Sequence, residues 1–166
     1  MSDEANYTAT FTVDKSPSEV FAAVSQPRRW WSEDVLGDAD RLGAVFYYHY
    51  QDIHRGTFQV TEVVPGKKLV WHTLQNYFNF VADATEWTGT DIVFELSPTT
   101  EGTELRFTHV GLKPSEECYQ VCHDSWSFYL QQSLKGLIAT GEGQPNKGEA
   151  NANPTVVPTL EAGAVA

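Results

Sequence analysis

Between residues 43 and 110 the apolar side chains recur at every second position in five separate runs, and this restricts the fold more than any other feature of the chain. The runs are 43–50, 57–63, 68–74, 91–97 and 104–110. A period of two belongs to a half-buried strand, in which alternate side chains face a core and the rest face water. Turn residues separate the runs, among them Pro65-Gly66 and Thr99-Thr-Glu-Gly102, and short turns join antiparallel neighbours. The pattern predicts an antiparallel meander. One connection, residues 75–89, is longer and rich in aromatic residues, enough to cover something.

The flanks add one more strand and the helices. Residues 7–13, YTATFTV, alternate and are β-branched or aromatic, so they read as a strand. Ser16, Pro17 and Glu19 then form a capping-box pattern that starts a helix at Pro17, running to about Ser25 and burying Val20, Phe21 and Val24. Pro27 ends it and begins a short second turn through Trp30 and Trp31. Residues 115–140 carry the long helical pattern, with Ser115 as cap, Glu116 and Glu117 in the first turn and Gly141 at the end. Tyr119, Cys122, Trp126, Tyr129, Leu130, Leu134 and Leu137 fall on one broad face, with Val121 and Phe128 on the opposite side. That broad face needs a sheet to bury it. The expected fold is α+β: a curved six-stranded antiparallel sheet wrapped round a long C-terminal helix, with two short helices after the first strand. The domain spans residues 5–143, and the Gln, Pro, Asn, Gly, Ala and Thr composition of residues 144–166 reads as a disordered tail.

A formal charge of −11 without a basic stripe argues against nucleic acid and anionic membranes as partners. No apolar run approaches the roughly 20 residues of a membrane span, and Met1-Ser-Asp-Glu-Ala-Asn6 lacks the basic-then-apolar order of a signal peptide, so a cytoplasmic protein is expected. The two cysteines, Cys118 and Cys122, are spaced by one helical turn, where side chains run parallel and fit a disulfide poorly. Only His123 lies near them, on a different face, so they read as buried, reduced structural thiols and no metal or other cofactor is expected.

Several segments in combination carry a family resemblance. These are residues 11–24, Trp30-Trp31, residues 64–71, 86–95, 102–112 and 133–143. Together they resemble the SRPBCC (START-like) superfamily, and within it the branch related to the carboxy-terminal domain of the activator of the heat-shock-protein-90 ATPase. The similarity covers roughly residues 5–146, and none of the motifs is catalytic. The resemblance implies the helix-grip fold of birch-pollen-allergen-like proteins, a curved sheet gripping a long helix around an internal cavity. Members bind lipids, polyketides or hormones, act as cyclases or serve as chaperone partners, so function has to be argued from the cavity.

Alternation places Phe46, Tyr48 and Tyr50 on the inner face with Phe58, Val60, Leu69, Trp71, Ile92, Phe94, Leu96, Leu105 and Phe107. The same period carries His109 inward, and Glu62 too unless a bulge precedes Pro65; His49 and His72 fall on the outer face. The helix contributes Cys122, Trp126 and Tyr129. The family pattern sets Trp30 and Trp31 near a cavity mouth. Adjacent side chains diverge in regular structure, so one ring is expected to anchor the short helix while the other faces the mouth, unless both pack as core. An aromatic wall with a few polar tips is the make-up of a small-molecule site. Three functions stay open: binding of a hydrophobic or aromatic small molecule, a chaperone-interaction or homodimer module using the acidic surface and the Val121 and Phe128 stripe, and acid–base catalysis by His109 with Glu62 or Tyr48. For the last, no nucleophile elbow, phosphate loop or dinucleotide fingerprint appears in the sequence.

Overall fold

The computed structural model describes residues 5–50 and 53–146. Strand β1 is Tyr7–Val13, followed by helices α1, Pro17–Val24, and α2, Pro27–Trp30. Five strands come next: β2, Val45–Tyr50; β3, His54–Val64; β4, Lys68–Phe78; β5, Asp91–Thr99; and β6, Gly102–Val110. They form one six-stranded sheet in the order β1-β6-β5-β4-β3-β2, all neighbours antiparallel. The meander is as expected, and β1 closes it by pairing with the last strand, Phe11 opposite Leu105.

The long helix is continuous from Tyr119 to Thr140 but has three parts: α3, Tyr119–Phe128; a π-helical segment, Tyr129–Leu134; and α4, Lys135–Thr140. It starts four residues later than expected, because Ser115 and the two glutamates after it lie in turns and Cys118 holds the cap position. Glu86 explains the delay: its carboxylate accepts from the backbone N–H groups of Glu117 and Cys118, taking over the capping that Ser115 was expected to provide. Ser16 and Glu19 do form the capping box of α1, though Phe21 is only half-buried. The π segment replaces the i to i−4 ladder in mid-helix, a feature often found beside functional sites.

Strands β3 and β4 each run 11 residues, longer than the apolar pattern indicates. Two bulges, the first with Leu74 of β4 as the extra residue opposite the Thr57–Phe58 step and the second with Thr61 of β3 as the extra residue between Val60 and Glu62, bend these strands and help the sheet curl. The second bulge also turns Glu62 outward, where it lies 3.5 Å from Lys68, which corrects the inward placement that strict alternation gives it. His49 departs from expectation in the other sense. It is fully buried, because residues 32–36 fold along the free edge of β2, with Leu36 bridging Tyr47 and Ser32 Oγ donating to the His49 carbonyl. Alternation reports which face a residue takes and is blind to a covered edge. His72 is half-buried and pairs with Asp91 at 2.7 Å.

The core fills the trough between sheet and helix. Trp30, Phe46, Phe58, Trp71, Phe94 and Phe107 are each at most 1 % exposed. From the helix, Trp126, Leu130, Leu134, Leu137 and also Ile138 close over them, while Tyr119 and Tyr129 stay half-buried and Val121 and Phe128 are exposed. Residues 147–166 of the expected tail lie outside the described residues. Gln144 and Asn146, within the segment assigned to that tail, are hydrogen-bonded to the domain.

Candidate functional site

All five tryptophans are buried and form one chain of ring contacts. Trp30 stacks on Trp71 at 6.3 Å, Trp31 lies parallel to Trp71 at 6.2 Å and against Trp126 at 5.0 Å, and Trp126 stacks on Trp87 at 5.7 Å. Trp30 and Trp31 both point inward because regular geometry ends between them: α2 is a single turn, and Trp31 caps it with φ −103° and ψ −67°. The mouth-facing or solvent-facing ring expected of this pair is not found as such, since both rings are core. Trp30 Nε1 donates to the Val24 carbonyl inside the packed centre, whereas Trp31 stacks on Tyr48 at 4.2 Å and its ring lines a cavity.

That cavity has a volume of about 190 Å³ and sits at one end of the trough. Of the residues picked from sequence, Trp31, Tyr48, Tyr50, Cys122, Trp126 and Tyr129 line it. Trp30, Phe46, Phe58, Trp71, Phe94, Phe107 and His109 do not. These last are on the inner face, as alternation requires, but their rings are buried against one another between sheet and helix. The remaining wall comes from Ile53 before β3, from Val121 and Ser125 on α3, and from residues that alternation over the shorter predicted strands missed: His54 at the start of β3, Phe78 at the end of β4, and Trp87 and Phe80 from the connection that follows. Residues 75–89 carried the relevant signal, an aromatic-rich connection able to cover something, without the residue-level detail.

The lining contains no charged residue among the described residues. Its polar groups have defined states. His54 donates from Nε2 to Asn76 Oδ1 at 2.8 Å, so Nδ1 is the acceptor, and burial lowers its pKa to about 3 against the smaller opposing effect of that hydrogen bond. Burial likewise holds the Tyr48 phenol well above its ordinary pKa and raises that of Tyr129. Asn146 Nδ2 donates to both phenol oxygens, at 3.2 Å to Tyr48 and 3.0 Å to Tyr129. The indole N–H of Trp87 is buried without a hydrogen-bond acceptor among the described residues.

His109 is engaged elsewhere. Trp126 Nε1 donates to its Nδ1 at 3.1 Å, its Nε2 donates to Thr90 Oγ1 at 2.8 Å, and Thr90 Oγ1 donates to the Trp87 carbonyl at 2.6 Å. Burial, with His54 nearby as a second cause, lowers its pKa to about 3. The side chain thus ties the long helix to the turn that holds Trp87, with both nitrogens occupied. Glu62, its proposed acid–base partner, faces solvent. Cys118 and Cys122 are buried and free, their sulfurs 2.7 Å apart, in agreement with reduced thiols. No group of three or more metal-ligating side chains occurs among the described residues.

The family model for Activator of Hsp90 ATPase homolog 1-like protein matches residues 14–139. The chain belongs to that family. Among curated proteins, none matches it. Of solved structures, the Aha1 dimer from Colwellia psychrerythraea superposes with TM-score 0.67 at 25% identity, covering 83% of this chain and 98% of the other. A protein from Mesorhizobium loti superposes with TM-score 0.64 at 19% identity, over 80% and 96% of the two chains. A protein from Nitrosomonas europaea gives 0.60 at 19% identity, over 83% and 96%. The last two establish the helix-grip fold alone. No helix among the described residues of this AHSA1-like domain is long and apolar enough to cross a membrane.

Proposed function

We propose that this AHSA1-like chain is a binding module that holds a small apolar or aromatic molecule in the end cavity. The supporting observation is the cavity itself: about 190 Å³ walled by Trp31, Phe78, Trp87 and Trp126, with phenols and one neutral imidazole at its edges. An engineered protein cavity of ~150 Å³ accepts benzene, so this volume suits one ring with substituents, well below the ~300 Å³ at which pockets for larger ligands begin. Sterols and long acyl chains are too large for it. Native mass spectrometry of protein from its own host, followed by melting curves with single-ring aromatics and a long-chain fatty acid, tests this. Ring compounds should raise the melting temperature in wild type and fail to in Ser125→Phe, which places a ring at the cavity wall. A flat response to every ring compound would sink the proposal.

A second function is favoured by the family itself and by the Colwellia neighbour, an Aha1 dimer. Here the chain would contact a chaperone ATPase or a second copy of itself, using the exposed Phe128 of the long helix and the exposed Val121, which also lines the cavity. An ATPase assay with the host chaperone, together with sizing by light scattering, decides. Unchanged turnover at tens of micromolar and a monomeric mass would remove it. Two buried free thiols fit a reducing compartment, and on that ground we place the protein in the cytoplasm.

A further inference from the structure

The polar groups of the cavity are unbalanced, and the imbalance describes the ligand. Asn146 Nδ2 donates to both phenol oxygens, so Tyr48 and Tyr129 each keep an O–H proton with no hydrogen-bond acceptor among the described residues. Tyr48 and Tyr129 line the cavity, and Asn146, which is not among its described lining residues, donates to both of their oxygens. The indole N–H of Trp87, a wall residue only 4 % exposed, is a third proton without an acceptor. Against these three donors stand Nδ1 of His54 as the one pure acceptor and the Tyr50 and Ser125 hydroxyls, which donate as well as accept. Buried donors left unpaired are costly, and a bound molecule that supplies acceptors removes that cost.

The geometry points to a ligand that is a neutral aromatic carbonyl compound of about ten heavy atoms, its carbonyl oxygen received by the Tyr48 and Tyr129 hydroxyls, with Asn146 as the residue that positions that pair. Neutrality follows from the described wall residues, among which there is no Lys or Arg to balance a carboxylate, and from the chain's overall charge of −11. Both phenol oxygens lie within 3.2 Å of a single Asn146 nitrogen, which holds them close enough to converge on one oxygen atom. Both phenols stay protonated, because burial raises each pKa.

This inference rests on the cavity being a ligand site, and the test separates the two. Acetophenone and isopropenylbenzene have the same shape and differ in a C=O against a C=CH₂. Dissociation constants for both, and for benzoate, are measured by calorimetry on the full chain. Wild type should prefer acetophenone to isopropenylbenzene by about tenfold, from two hydrogen bonds of ordinary net strength, and should bind benzoate more weakly than acetophenone. Tyr48→Phe and Tyr129→Phe keep the rings and should each reduce the preference about threefold. Asn146→Asp keeps the side-chain shape but replaces the donor with an acceptor that captures both phenol protons, so the preference should fall to about one while isopropenylbenzene binding persists. Equal affinity of wild type for the two isosteres overturns the carbonyl assignment and leaves the cavity reading standing. Binding of neither overturns both. A preference unaffected by all three substitutions, or tighter binding of benzoate, also overturns it.

Discussion

Trp30 and Trp31 illustrate how much one backbone angle can decide. Neighbouring side chains in a helix diverge by about 100°, which on its own separates the two rings. The break from helical geometry at Trp31 instead sends both inward, Trp30 into the packed centre and Trp31 onto Tyr48 at the cavity floor. The two should therefore answer differently to truncation. Trp30→Ala removes a fully buried ring and should cost about 3–5 kcal/mol in urea unfolding. Trp31→Ala should cost less, because the void it leaves joins an existing cavity, and it should broaden the range of aromatic compounds that raise the melting temperature. The buried histidines give a pH prediction. His54 and His109 have folded pKa values of about 3 against an unfolded value near 6.5, so below pH 6.5 the unfolded chain binds more protons than the folded one. The stability gained by keeping them neutral is present above pH 6.5 and is lost as pH falls from there toward 3. At pH 5 each should have forfeited about 2 kcal/mol, read as a drop in the urea midpoint between pH 7 and pH 5 that His54→Gln roughly halves. Equal stability at both pH values would contradict neutral burial.

At the scale of elements, the segment following α4 does more than end the helix. Gly141 leaves it through a left-handed residue, φ 89°, and the chain then turns back across α2. Ser133, buried in the π segment, donates to the Trp30 carbonyl at 2.6 Å and accepts from the Gln144 N–H at 2.7 Å. Asn146 donates its backbone N–H to the Trp31 carbonyl and accepts from the Glu33 N–H. Residues 143–146 are thus a strap over the tryptophan pair, and Gly143 is packed so tightly against the Arg29 carbonyl that a Cβ there would overlap it. Gly143→Ala should cost about 1–3 kcal/mol by displacing the strap, and hydrogen exchange at the Asn146 and Glu33 amides should speed up more than exchange in β5 and β6. Uniform acceleration across the sheet would mean the strap is not a separate unit. None of this shows in the sequence, where residues 141–146 have no periodicity and Ser133, though on the buried face by spacing, is polar.

Taken whole, the molecule is a packed grip with one open end, and ligand binding there should couple to global stability. A ligand present at 100 times its dissociation constant adds about 2.7 kcal/mol, which for a domain of this size is a rise of roughly 5–10 °C in melting temperature, growing with the logarithm of ligand concentration. A shift that does not grow with concentration would point to non-specific stabilisation. The fold was legible in the chain because it depends on local periodicities: five runs of period two, one capping box and one long helical stripe leave an antiparallel sheet on a helix as the way to bury their apolar faces. The inner-face residues followed from the same rule, and Tyr48, Trp126 and Tyr129 with them. Periodicity assigns a residue to a face and says nothing of whether the space in front of it is filled. Whether Phe46, Trp71 or Phe107 would meet a ligand or another ring depends on how side chains from six strands and a helix interlock, and there the rings meet one another. His54, Phe78, Trp87 and Asn146 come together across long sequence distances, through strand ends, a connection and a strap whose positions are set by hydrogen bonds and close packing in three dimensions. Local pattern therefore decided the architecture, and only tertiary packing decided where that architecture leaves room.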